Sequence, residues 1–307
     1  MLGLLTLNWP RLYRWQQDPS TFTAADFDKL RGSGINVFHP AVSLGDGETH
    51  DVSWRWFDKW NRLISGRPEY FVRVDGASDI TRARREGKIG IILGMQDANH
   101  LRTVEDVDVF HALGQRLTQL TYNSANRLGN GCYVVNDKGL TAFGLLVVAR
   151  MNAAGMAIDI SHCGERTSLD AIEASKKPVL ITHSNCRALA PGVARCKSDA
   201  VIRAAARKGG VVGLTSVRQF VRANGAATVE KVLDHFDYAV KLVGVEHVGI
   251  GSDFDLDAHP TYDTPGLNQP NRMFQLTEGL VRRGYKDTDI ALLLGGNFQR
   301  ALQQIWV

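Results

Sequence analysis

Short apolar, β-branched runs recur along the chain and alternate with stretches of helical period. Eight of them read as strands: Leu4–Leu7, Asn36–Val42, Ile89–Met95, Leu117–Tyr122, Ala157–Ser161, Val179–Thr182, Val211–Thr215 and His247–Ser252. Between them lie helix-period segments such as Ala24–Arg31, Leu140–Ala153, Arg166–Ala174, Ser198–Lys208 and Thr228–Leu242. Near-continuous apolar strands alternating with helices predict a parallel sheet covered by helices on its outer face. Eight such units predict an α/β fold of the (β/α)₈ TIM-barrel type, with residues 1–307 forming one domain. The run Tyr70–Val74 is a ninth candidate and is expected to be peripheral. An open doubly wound sheet is the competing architecture. No GxGxxG or GxxxxGKS turn follows any strand, so a nucleotide fold has no support.

Composition narrows the class. The 307 residues are 44% hydrophobic and 22% charged, with a formal net charge of +4, which is ordinary for a globular protein. The densest basic cluster, Arg82–Arg85, sits in a helix-like stretch beside acidic residues and reads as a solvated face, which argues against nucleic acid as a partner. No apolar run approaches the roughly 18 residues of a membrane span, so no membrane partner is expected. The N-terminus reads as a first strand and not as a secretion signal. Cys132, Cys163, Cys186 and Cys196 show no CxxC spacing, which fits buried thiols and a reducing cytoplasm. The segment Trp54–Trp60 puts Trp56 and Trp60 on one helix face, suited to packing or self-association. The irregular stretch Asp255–Asn271 follows the last strand, where long loops usually carry function.

Active sites of parallel barrels lie at the C-terminal ends of the strands. Those ends carry Thr6, His39, Gln96, Tyr122, His162, His183, Thr215 and Asp253. Two neutral imidazoles from adjacent strands can share a metal ion. A carboxylate on the last strand can orient a bound water and take its proton. His39 precedes Pro40 and reads as a hydrogen-bonded rim histidine before it reads as a ligand.

The stretches Glu86–Leu101, Leu117–Asn126, Gly155–Gly164, Pro178–Leu189, His247–Asp255 and Leu293–Leu302 are long, ordered and correctly spaced. Through them nearly the whole chain resembles the membrane (renal) dipeptidase family of the amidohydrolase superfamily. That resemblance implies a barrel hydrolase cleaving dipeptides with two zinc ions, often as a homodimer. Carried over by position, His162 and His183 bind one metal and Asp253 handles the proton of the attacking water. Arg195, in ARCKSD, holds the substrate carboxylate; a guanidinium fork suits that task.

The chain departs from the family pattern at a connected set of positions. The His-x-Asp pair of the first strand is Leu4 and Thr6 here, and the bridging glutamate is Gln96. Tyr122 stands where the family has a carbonyl-polarising histidine. A neutral amide cannot offset the repulsion between two dications. At most one zinc is therefore expected, on His162, His183 and the Gln96 oxygen, with Tyr122 or a backbone N–H stabilising the oxyanion and contacting substrate. Three uses of the pocket stay open: a one-ion hydrolase of a small amide or dipeptide-like substrate; a metal-free lyase, isomerase or tailoring enzyme; and a non-catalytic binding protein.

Overall fold

The computed structural model describes residues 3, 5, 6, 8–45, 49–253, 255, 257, 262–267 and 271–306. Among the described residues nine strands are formed: β1 (Val37–Phe38), β2 (Phe71–Arg73), β3 (Ile89–Ile91), β4 (Leu93–Met95), β5 (Gln115–Gln119), β6 (Ala157–Asp159), β7 (Val179–Ser184), β8 (Val212–Leu214) and β9 (Val248–Ile250). β4 to β9 lie side by side in chain order, every pair parallel. A doubly wound sheet reverses its strand order at a switch point. This one never does, and it has the sequential order of a barrel wall.

The expected strand Ile89–Met95 is divided at Ile92. Its first half pairs with β1 and β2, and its second half with β5. The Tyr70–Val74 run is not peripheral: it supplies β2, in register with β3 from Phe71 opposite Ile89 to Arg73 opposite Ile91, and Val74 N–H extends the ladder to the Ile91 carbonyl. Of the expected first strand, Leu4 and Leu7 lie outside the described residues. Gly3 makes an isolated antiparallel bridge to His39, and Leu5 and Thr6 are in no ladder. Much of the expected rim loop, 255–271, is likewise outside the described residues.

The helices begin where side-chain oxygens can accept their free N–H groups. Thr23 and Asp26 form a capping box for Ala24–Gly32. Thr141, Ser198 and Thr228 cap the helices Ala142–Ala154, Asp199–Arg207 and Val229–Val243. Gly155, at φ 73°, ends the first of these and turns the chain straight into β6. Helix His50–Gly66 buries Trp56, Phe57, Trp60 and Leu63 and leaves Trp54 exposed, so the tryptophan face is mainly core. All four cysteines are free. Among the described residues, no helix is long and apolar enough to cross a membrane.

Candidate active site

β6 and β7 run into the rim as Asp159-Ile160-Ser161-His162 and Thr182-His183-Ser184. Their register brings the two histidines together: His162 Nε2 and His183 Nε2 are 3.0 Å apart. The ring of Tyr122, just past β5, stacks on His162 with centroids 4.2 Å apart. The chain after β9 closes in because Gly251 has no side chain; a Cβ there would lie 1.8 Å from the Thr182 carbonyl oxygen. Two residues later Asp253 adopts φ 61°, and Asn123, after Tyr122, adopts φ 59°. Left-handed backbone is tolerated best by asparagine and aspartate among residues with a side chain, and here both such residues serve the same cavity. That cavity has a volume of about 790 Å³ and is lined by Gln96, Tyr122, Asn123, His162 and Asp253 together with residues of the loops after β8 and β9.

The hydrogen bonds assign a tautomer to each imidazole. His162 Nδ1 is 2.7 Å from the Asn123 amide oxygen, which can only accept, so Nδ1 carries the proton. His183 Nδ1 is 2.8 Å from Thr182 Oγ1. The Thr182 hydroxyl proton is committed to Asp159 Oδ2 at 2.6 Å, so the threonine oxygen accepts and His183 Nδ1 donates. Burial, reinforced by the Arg195 charge, pushes both imidazole pKa values well below the ordinary value, so both rings are neutral near pH 7. Two Nε2 lone pairs therefore face one another.

Two facing lone pairs repel unless a cation lies between them. Zinc–imidazole bonds of about 2.0–2.1 Å at a tetrahedral angle place the two nitrogens about 3.3 Å apart. The pair is thus nearly set for one shared ion. Gln96 lines the same cavity, and its amide nitrogen donates to the Ala41 carbonyl at 2.8 Å. The donor set suits one cation held by neutral ligands. Among the described residues no group of three or more His, Cys, Asp or Glu side chains could hold a metal. Thr6 donates to Asp257 at 2.5 Å and does not line the cavity. Among the described residues, no set of side chains fits a two-ion carboxylate centre.

Asp253 is partly open to the cavity, yet burial raises its pKa to about 7, with Arg195 opposing and Asp159 adding to the rise. Burial, then Asp253, raises the Tyr122 pKa, so its hydroxyl stays protonated and can donate. His39 is fully buried, bonds the Ile92 carbonyl through Nδ1 at 2.9 Å, and has its pKa lowered to about 4 by burial. Thr215 donates to the Ser252 carbonyl.

Arg195, expected to hold a substrate carboxylate, is fully buried and is not among the residues that line the cavity. Its Nη1 donates to the Ser161 carbonyl at 2.6 Å and its Nη2 to the His183 carbonyl at 2.8 Å. The fork expected for a substrate carboxylate is spent on bracing the two histidine strands. Lys197, also buried, donates to the Cys163 carbonyl and Ser168 Oγ, and burial lowers its pKa to about 8. Sequence reasoning passed over Asn123, Asp159, Thr182 and Lys197. Asp159 alone left a signal, as a carboxylate inside an apolar strand.

The sequential parallel wall, with paired imidazoles and a carboxylate at its C-terminal rim, defines an amidohydrolase-type barrel. The model of the membrane dipeptidase family (peptidase family M19) matches residues 16–306, and the chain belongs to that family. It is 30% identical over 282 residues to an uncharacterized dipeptidase of Schizosaccharomyces pombe (84% of this chain, 66% of that one). It is also 30% identical to an uncharacterized protein of Klebsiella pneumoniae, over 85% of this chain and 98% of that one. Dipeptidase 3 of Rattus norvegicus is 29% identical, over 91% of this chain and 57% of that one. The chain thus spans between about three fifths and two thirds of the yeast and rat relatives. Among solved structures, an amidohydrolase from Pseudomonas aeruginosa superposes with TM-score 0.87 at 28% identity, covering 99% of this chain and 95% of that chain.

Proposed function

We propose that the chain is a dipeptidase-like hydrolase of a small amide or dipeptide-like substrate, working with a single zinc ion. One observation carries the reading: two neutral imidazoles present Nε2 lone pairs to each other at 3.0 Å. His162 and His183 would hold the ion, with the Gln96 oxygen as a weak third ligand. When bound, zinc supplies a water whose pKa is lowered to about 7. The name of one relative, Dipeptidase 3, points to the substrate class.

The chain's own groups supply the rest. Asp253 Oδ takes the proton of the attacking water and returns it to the leaving amine; a carboxyl poised near 7 is suited to both transfers. The protonated Tyr122 hydroxyl donates to the oxyanion as it forms. Tyr122, stacked on His162, also packs against the substrate. Arg195 braces the histidine strands and adds to burial in keeping the imidazoles neutral. With this arginine occupied, the substrate carboxylate must find its donors elsewhere on the rim.

Metal analysis with a dipeptide screen, D-residues at the C-terminal position included, tests the reading. About one zinc per chain is expected, with hydrolysis, and both should vanish in His162→Ala and His183→Ala. Two ions per chain, or hydrolysis unaffected by those substitutions, refutes it.

A further inference from the structure

We infer that Thr182, anchored by Asp159, is a positioning residue that sets the tautomer of His183 and so directs its Nε2 lone pair toward His162 Nε2. Asp159 lies in the interior of the barrel wall, 1% exposed, and its two oxygens do different work. Oδ1 accepts from Ser161 N–H (2.9 Å), Ser161 Oγ (2.6 Å) and Thr182 N–H (3.0 Å). Among the described residues, Oδ2 accepts only the Thr182 hydroxyl, at 2.6 Å. A hydrogen bond to a carboxylate is roughly twice as strong as a neutral one, so the single hydroxyl proton of Thr182 stays with Asp159. The threonine oxygen is left as an acceptor, and His183 Nδ1 can meet it only as N–H. The Ser161 hydroxyl proton is likewise spent on Asp159, and its oxygen accepts His183 N–H at 3.1 Å. One buried carboxylate therefore orients both hydroxyls around His183 and, through them, the imidazole.

The chain of donors has a direction, and one substitution should reverse it. In Asp159→Asn the amide oxygen belongs at the Oδ1 position, where three donors converge. The amide nitrogen then faces Thr182 and donates to its oxygen. The threonine hydroxyl is freed to donate to His183 Nδ1, and the ring must move its proton to Nε2. That proton would point at His162 and block the shared lone-pair site.

Two measurements test the inference. Long-range ¹H–¹⁵N correlation spectra of histidine-labelled, chelator-treated protein report each ring's tautomer, with His183 assigned by its loss in His183→Gln. The wild type and Thr182→Ser should show Nδ1–H, Asp159→Asn should show Nε2–H, and the isosteric Thr182→Val should lose the preference. Zinc affinity, read by competition with a chromophoric chelator, should fall roughly ten- to a hundredfold in Thr182→Val and in Asp159→Asn, the range for partners that orient a metal-bound histidine. Thr182→Ser should restore it. An unchanged Nδ1–H tautomer in both Thr182→Val and Asp159→Asn overturns the inference. The affinity measurement rests on the one-ion reading above, and the tautomer measurement does not. A wild type that binds no zinc but shows the expected tautomers would remove that reading and leave the inference standing; zinc binding with tautomers indifferent to both substitutions would do the reverse.

Discussion

Asp253 should make the fold less stable as pH rises through neutrality, and Asp253→Asn should abolish that loss. Its carboxyl pKa is raised from 3.8 to about 7, chiefly by burial. A raised carboxyl pKa means the folded state holds the proton more tightly than the unfolded chain does. The stabilisation is complete below the unfolded value near 4 and is lost as pH climbs through about 7. Three units at about 1.4 kcal/mol each set a ceiling of about 4 kcal/mol. Asp253 is partly open to the cavity, and solvent screening brings the expected figure to about 2 kcal/mol. A chain of this length gains about 0.6 kcal/mol per kelvin of unfolding entropy at its midpoint, so the shift is about 3 °C. The assay is thermal unfolding of the wild type and Asp253→Asn between pH 5 and 8.5, with chelator present so that no bound cation lowers the carboxyl pKa. The variant should gain up to about 3 °C on the wild type, nearly all of it between pH 5 and 7, with little further change above about pH 7.5. A Tm difference independent of pH would refute the reasoning.

Gly94→Ala would place a Cβ 2.3 Å from His39 Cε1 and 2.7 Å from the Leu117 carbonyl oxygen; a loss of about 1–3 kcal/mol is expected by urea unfolding, as for other overpacked cores. Arg195→Lys cannot brace both the Ser161 and His183 carbonyls in the present geometry and should cost about 2 kcal/mol or more of folding stability; full stability with only a raised KM would instead support a carboxylate clamp. Gln96→Glu adds the charge that the amide lacks beside the histidine pair and should tighten zinc binding roughly tenfold or more in a chelator competition; unchanged affinity would place residue 96 outside the metal's reach.

The alternation of apolar runs with helical segments was enough to specify the barrel class and to place most strands within a few residues, because burial on both faces forces an unbroken apolar pattern. It was also enough to mark His162, His183 and Asp253 as strand-end residues, since an abrupt change from apolar to polar is visible in one dimension. It could not show that Tyr70–Val74 enters the sheet, because pairing with β3 depends on how that strand divides at Ile92. Nor could it show where Arg195 points: a guanidinium fork accepts two backbone carbonyls as readily as one carboxylate, and only packing chose the former. The tautomers of His162 and His183 were equally out of reach. They follow from Asn123, Thr182 and Asp159, residues far apart in the chain whose hydrogen bonds exist only once β5, β6 and β7 lie side by side. Residue type decides which chemistry is available; the direction of each proton is a property of neighbours, and neighbours are made by folding.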